Sequence, residues 1–290
     1  MKENTSHTDV QTIMKKSKTN FFYSSFFLNK TKQEGLRVIY AFCRMTDDIV
    51  DNESMTREEK SASIKKWKDR LNNSLNNNSN DEFFNHLRKQ INTFMIPHKP
   101  FFDLIEGMEM DIKKNRYESF DELYKYCYCV ASSVGLMSIE IFGYKNQDIK
   151  KYAEYLGVAL QLTNIIRDIK KDAVNNRIYL PLEDMRKYDY TDQELLNYVY
   201  NEKFIKLMEF QHNRANECYL KADTFLKRAD KSNMIAAIIM KNIYYKLHKK
   251  IKSVNYNIFD NDIRISKINK FVSAFMIFIK YKLLYKIGLQ

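Results

Sequence analysis

Turn-forming residues are scarce in this chain: its 290 residues include only six glycines and three prolines. That scarcity argues against a fold of many short strands, and no alternating apolar run flanked by Asn-Gly or Asp-Gly marks a hairpin. Long helices with short connections remain, so an all-α fold is expected. Cysteine is scarce too. Cys43, Cys127, Cys129 and Cys218 lack the spacing of a zinc site, since Cys127-Tyr128-Cys129 is tighter than the usual two-residue gap. They read as small core residues of a reduced, cytoplasmic protein. The chain also lacks the roughly 18 uninterrupted apolar residues of a spanning helix, and its polar N-terminus has no signal-peptide core. No period of about 20 to 50 residues recurs, which favours one globular bundle, residues 1–290, over a helical solenoid.

A formal charge of +12 invites a nucleic-acid reading, but the lysines are scattered and five histidines with the single Trp67 form no finger or stacking array. No nucleic-acid partner is expected. A basic chain of this kind attracts diphosphates and anionic membrane surfaces instead. The apolar stretch 271–279, followed by Lys280, Lys282 and Lys286, is compatible with peripheral association on the inner face of a membrane, although a core-facing helix is the expected state. Apolar periodicity predicts helices near 8–28, 31–54, 56–77, 80–95, 98–114, 119–143, 146–175, 192–229, 232–255 and 264–286. Loops are expected at 76–80, at 97–100 and at 174–180 ahead of Pro181.

What the chain does have is two acidic clusters, each embedded in an apolar helical pattern. They are Asp47-Asp48-Ile49-Val50-Asp51 and Asn164-Ile165-Ile166-Arg167-Asp168-Ile169-Lys170-Lys171-Asp172. Crowded carboxylates beside apolar residues need a positive partner. Steps of four residues at about 100° each leave Asn164, Asp168 and Asp172 on one slowly drifting stripe, successive side chains about 6 Å apart along the axis. Asp47 and Asp51 share a face by the same spacing, with Asp48 turned about 100° aside. Hard oxygen ligands of this kind suit Mg²⁺, with Mn²⁺ an alternative, and such an ion is commonly shared with substrate phosphates. A diphosphate ester held between the clusters is the natural inference. A lone acidic triplet is as often a solvated face, but the second cluster extends the buried pattern of Ala159-Leu160-Gln161-Leu162-Thr163. Tyr40 and Arg44 precede Asp47 and Asp51 on the same face. There Arg44 is either a helix ion pair worth about 0.3 to 0.5 kcal/mol or a bidentate donor to bound diphosphate.

Tyr40-Ala41-Phe42-Cys43-Arg44 with the first cluster, Tyr126-Cys127-Tyr128-Cys129-Val130-Ala131-Ser132-Ser133-Val134-Gly135-Leu136, and above all residues 156–172 continuing to Arg177-Ile178-Tyr179-Leu180-Pro181, resemble the squalene and phytoene synthases. Ile243-Tyr244-Tyr245 and residues 256–267 fit as well, so the resemblance covers nearly the whole chain. It implies an isoprenoid-synthase-type helical bundle around a central apolar cavity. It also implies a Mg²⁺-dependent prenyltransferase that joins two farnesyl or geranylgeranyl diphosphates head to head through a cyclopropylcarbinyl diphosphate. On that resemblance Asp47, Asp48, Asp51, Asn164, Asp168 and Asp172 hold the metal. Arg44, Arg167 and Arg264 hold diphosphate, with Gln161 and Asn164 beside it, and Tyr40, Arg44, Tyr128, Arg167 and Tyr244 take the catalytic roles. Phe21 and Phe22 line the prenyl tunnel, and Gly135 either lets the tail pass close to the helix backbone or serves tight helix packing.

The chain departs from the family at its N-terminal flap. Thr19-Asn20-Phe21 stands for Ser-Ser-Phe, Phe26 for an arginine and Asn29 for a proline, with Lys18 the expected substitute contact to diphosphate. Two rival readings stay open. A class I terpene cyclase also spaces three ligands by four residues, though with Ser or Thr in the middle and Glu last. A non-catalytic assembly factor of the same superfamily would tolerate the loss of metal ligands, and here both clusters are complete. Residues 132–138 and 263–267 look closest to bacterial enzymes that make presqualene diphosphate from farnesyl diphosphate. Substrate length, product, NADPH use and oligomeric state are left open by the sequence.

Overall fold

The computed structural model describes residues 25–76 and 79–283. Most of the helix expected at 8–28, and with it Lys18, Phe21 and Phe22, lies outside them. The described residues form α1 Lys30–Asp51, α2 Arg57–Asn76, α3 Glu82–Phe94, α4 Lys99–Lys113, α5 Phe120–Cys127, α6 Ser133–Phe142, α7 Ile149–Val174, α8 Leu182–Lys187, α9 Asp192–Leu196, α10 Glu202–Phe225, α11 Ile235–Ser253 and α12 Lys267–Phe278. A π-helical turn, Tyr128–Ser132, joins α5 to α6, and no strand forms among the described residues beyond one isolated bridge, Arg116 to Ile178.

The helix predicted as one piece over 192–229 is broken. A capping box from Thr191 and Glu194 starts α9, Tyr198 takes a left-handed φ of 57°, and the Asn201 side chain then caps α10 by accepting from Phe204 N–H. Apolar spacing continues across the break, which hid it; α8, six residues after Pro181, is too short for periodicity to show. Asn29, where the family resemblance expects proline, caps α1: its Oδ1 accepts from Lys32 N–H at 2.9 Å.

The two acidic clusters are carried by α1 and α7, and the packing of these helices fixes where the carboxylates point. The buried face of α1 (Val38, Ile39, Phe42, Cys43, Thr46, Val50) is locked by Trp67 of α2, which stacks on Phe42 and donates its indole N–H to Thr46 Oγ1 at 2.9 Å. Asp47 and Asp51 therefore leave α1 from a fixed register. α7 contributes to both large apolar clusters of the core and packs along α10, where Thr163 Oγ1 meets the Tyr219 hydroxyl at 2.9 Å. A bidentate Arg214–Asp184 pair, joined by Gln211, ties α8 to α10.

On the far side of α10, His212 stacks on His248 of α11 with ring centroids 3.5 Å apart and planes 7° from parallel. Both rings are buried, and His212 Nε2 lies 3.1 Å from the His248 carbonyl oxygen. Burial lowers both imidazoles, and with His212 alongside it lowers His248 to about 3. Because the folded pKa lies below the unfolded value of about 6.5, the unfolded chain binds more protons between the two. This pair's contribution is complete above about pH 6.5 and is lost as pH falls toward the folded value. Between pH 7 and pH 5 the pair should therefore cost wild type melting temperature relative to His248→Phe, which keeps the stack without the titration. Equal changes in thermal melts of the two proteins would rule this pair out as a contributor.

Candidate active site

The π turn is wedged between α4 and α7. A Cβ on Gly157 would lie 2.5 Å from Ser132 Cα, and one on Gly107 would lie 2.6 Å from Val130 Cγ1. Only glycine permits these approaches, and π turns inside helices often mark functional sites. Here the turn brings Val130 to the boundary of two cavities.

The first cavity, about 570 Å³, is acidic: Asp47 and Asp51 of α1, Asp111 of α4 and Asp172 of α7 line it, with Lys60, Lys171 and Arg177 at its edge. The second, about 210 Å³, is apolar and runs between α6, α7 and α11, lined by Val134, Gly135, Phe142, Leu156, Ala237 and Tyr244 among others. Val130 and Gln161 line both, so the two adjoin. A third, about 810 Å³, is basic, with Arg167, Lys170, Arg264, Lys267 and Lys270 around Asp168 and Asp262; Lys171 lines both it and the acidic cavity.

Desolvation in the acidic cavity, reinforced by Asp51, raises the Asp47 carboxyl to about 7 despite Arg44. Desolvation and then Asp168 raise Asp172 to about 7, with Arg177 opposing. Asp111 is also raised by burial; Arg177 and hydrogen bonds from two tyrosines limit the effect. These are groups short of positive charge. Asn164 Oδ1, at the head of the apolar cavity, is buried without a hydrogen-bond partner. Such a donor set fits a divalent cation. Among the described residues no three His, Cys, Asp or Glu side chains stand close enough to hold an ion alone. The set therefore suits an ion such as Mg²⁺, held by one or two carboxylates and completed by waters and substrate oxygens.

The residues expected from the sequence divide among these cavities. Asp47, Asp51 and Asp172 come together; Gln161, Asn164, Gly135 and Tyr244 line the apolar cavity; Arg167, Asp168 and Arg264 line the basic one. The stripe of four-residue steps is split because Arg167 turns Asp168 toward itself, its Nε donating to Asp168 Oδ1 at 2.7 Å and Nη2 to Oδ2. Asp48 does not join the other carboxylates. Its 100° offset on the helix leaves it exposed, where it pairs with Arg44 at 2.5 Å, so Arg44 is a helix ion pair here. Tyr40 sits half-buried one turn earlier on α1. An added Cβ on Gly135 would lie 3.0 Å from the Ala153 carbonyl oxygen, so this glycine serves the packing of α6 on α7 while lining the cavity.

Tyr128 lies with its ring 5.8 Å from Lys99 Nζ, whereas Tyr126, two residues and about 200° away on the helix, lines the acidic cavity together with Tyr179. Tyr126 and Tyr179 stack at 5.3 Å and donate their hydroxyls to the two oxygens of Asp111, each at 2.8 Å. Tyr179 is held there by the bridge segment, in which Ile178 N–H bonds the Asn115 carbonyl at 3.0 Å. Sequence reasoning missed Asp111, one of four acidic residues spread along α4 without the four-residue spacing of the two clusters, and Lys270, whose ammonium is held below its usual range by burial and by Arg167. Tyr126, Arg177 and Tyr179 stood inside the motifs that carried the resemblance, and were open to being found.

A profile of the squalene/phytoene synthases matches residues 14–269. The chain belongs to the squalene/phytoene synthase family. It is 32% identical over 259 residues to a chloroplastic phytoene synthase of Narcissus pseudonarcissus, covering 86% of this chain and 60% of that protein. It is 31% identical over 251 residues to a 15-cis-phytoene synthase of Synechococcus elongatus, covering 82% and 81%. The chain thus spans less than two thirds of the plant relative and most of the cyanobacterial one. Among solved structures, a ligand-bound dehydrosqualene synthase superposes with a TM-score of 0.82 at 27% identity over 94% of this chain and 95% of that one. A squalene synthase from Alicyclobacillus acidocaldarius, at 22% identity and a TM-score of 0.77 over 86% of this chain and 93% of its own, shares the fold. These matches give the terpene-cyclase and assembly-factor readings no support.

Proposed function

We propose that this family member joins two allylic prenyl diphosphates head to head. The observation that carries the reading is the junction at Gln161 and Val130, where an acidic cavity suited to a metal-bound diphosphate opens beside an apolar one suited to a prenyl tail. Asp47, Asp51, Asp172 and Asn164 would hold Mg²⁺, which when bound neutralises charge on a departing diphosphate. Arg167, Arg264 and Lys270 offer donors to the phosphate oxygens from the basic side. The allylic C–O bond of one substrate breaks, the electron pair leaving with diphosphate. The double bond of the second attacks the cation, and loss of a proton closes the cyclopropane. In the Tyr126–Asp111–Tyr179 array at the cavity wall, the Asp111 carboxylate, oriented by the two hydroxyls that donate to it, would accept that proton. Leu156, Val134 and Phe142 keep water from the tail, and the Tyr244 ring faces the same space.

Four free cysteines, three of them buried, support the cytoplasmic setting expected from the sequence. α7, shared by both halves of the core, supports a single domain. The test is product analysis with Mg²⁺ and either farnesyl or geranylgeranyl diphosphate, with and without NADPH, and Asp172→Ala as control. A coupled thirty- or forty-carbon product that is lost in the variant establishes the reaction and the substrate length together. A cyclised monomeric terpene, or no turnover of either substrate by folded protein, would overturn it.

A further inference from the structure

α12 is apolar on two faces. Ser273, Ala274 and Ile277 face inward: Ala274 and Ile277 cluster with Ile235, Ile239 and Ile243 of α11, and Lys246 Nζ bonds Ser273 Oγ at 2.5 Å. Ile268, Phe271, Val272, Phe275 and Met276 point outward and are 47% to 75% exposed. At helical spacing these five share an arc of about 140°, so they form one stripe. A contiguous apolar stripe on a protein surface marks an interaction face.

Charge says what it meets. No Asp or Glu follows Asp262, whereas Arg264, Lys267, Lys270, Lys280, Lys282 and Lys286 do. Lys267 and Lys280, at the two ends of the stripe, are both exposed. A second copy would bring the same positive charge against this one. With the π turn Ile279–Leu283 that continues it, the helical segment is about 25 Å long, and no helix among the described residues is long and apolar enough to cross a bilayer. An apolar stripe with lysines at its ends instead suits the plane of an anionic membrane surface, the rings at the acyl boundary and the ammonium groups among the phosphates.

We propose that α12 seats this protein on an anionic lipid surface. Its inner side carries Lys270 to the wall of the basic cavity, so docking would set that cavity next to the lipid. The inference goes beyond the reaction, and its test contains no prenyl diphosphate.

Full-length protein is sedimented with vesicles of phosphatidylglycerol and phosphatidylcholine, and with phosphatidylcholine alone. Wild type should bind the anionic vesicles, less so as salt rises, and the double variant Phe271→Asp, Phe275→Asp should bind on the order of tenfold more weakly. In a separate variant, Met276→Trp, indole emission should shift to the blue when anionic vesicles are added. The proposal is overturned if wild type does not bind, or if the double variant binds as well. It is equally overturned if the Met276→Trp emission is already blue-shifted without lipid, which places another part of the chain or a second copy over the stripe. Sedimentation velocity that shows a wild-type dimer becoming a monomer in the double variant would assign the face to self-association instead.

Discussion

Alanine at Asp172 or at Asp47 is expected to cut prenyl coupling by about a thousandfold or more, yet to leave the metal-free protein at least as stable as wild type at pH 8. The two effects share one cause. Both carboxylates border the same cavity, raised to about 7 by desolvation and by a neighbouring carboxylate. Ionised at pH 8 and without a cation, they repel each other's neighbours in a poorly solvated space; removing one relieves that repulsion and removes a ligand together. The sign comes from linkage. A carboxyl with a folded pKa near 7 and an unfolded one near 3.9 binds more protons when folded. Its contribution is complete below about pH 4 and is lost as pH rises through 7.

Thermal melts in chelator at pH 5 and pH 8 should thus show the variants gaining on wild type as pH rises. The acid sensitivity of the His212–His248 pair is common to both proteins and drops out of that difference. Adding Mg²⁺ should raise the wild-type midpoint by mass action and the variants' little. A variant that keeps more than about a tenth of wild-type turnover would remove its carboxylate from the metal set. One that melts several degrees below wild type in chelator would show the carboxylate to be a structural partner and not a waiting ligand.

How much of this was legible in the sequence depends on range. Asp47 and Asp51 were readable because four residues on one helix fix a shared face, and Asn164 stood out for the same reason. The meeting of those two faces across α1 and α7 is a long-range packing result, readable only through the family resemblance. Asp168 shows the limit: spacing put it on the stripe, but rotamer choice, set by Arg167 next to it, aims it at the basic cavity. Tyr128 shows another. Within Tyr126-Cys127-Tyr128 the motif supplies two tyrosines, and only the facing of α5 against Asp111 decides that Tyr126 is the one at the cavity. The break at Tyr198 went unseen because apolar spacing ignores a single left-handed residue. Asp111 had no sequence signal at all, since its partners lie 15 and 68 residues away.

Filling the apolar cavity should disable the enzyme without unfolding it. Ala237 of α11 lines that cavity and is only partly buried, so in Ala237→Phe the ring enters about 210 Å³ of existing space and need not push the core apart. The prenyl tail then loses its place. Each methylene kept from burial costs about 0.8 kcal/mol, so excluding one five-carbon unit costs about 4 kcal/mol, on the order of a thousandfold in kcat/KM. Because the tail binds in both ground and transition states, much of the loss should fall on KM, unlike the Asp172→Ala defect, which should fall on kcat. The penalty should also grow with substrate length, smallest for geranyl diphosphate and largest for geranylgeranyl diphosphate, while the melting temperature stays within a few degrees of wild type. Steady-state kinetics across the three chain lengths decide the matter. If kcat/KM is unchanged at every length in folded Ala237→Phe, the tail does not run between α6, α7 and α11, and the substrate must approach the acidic cavity from the basic side.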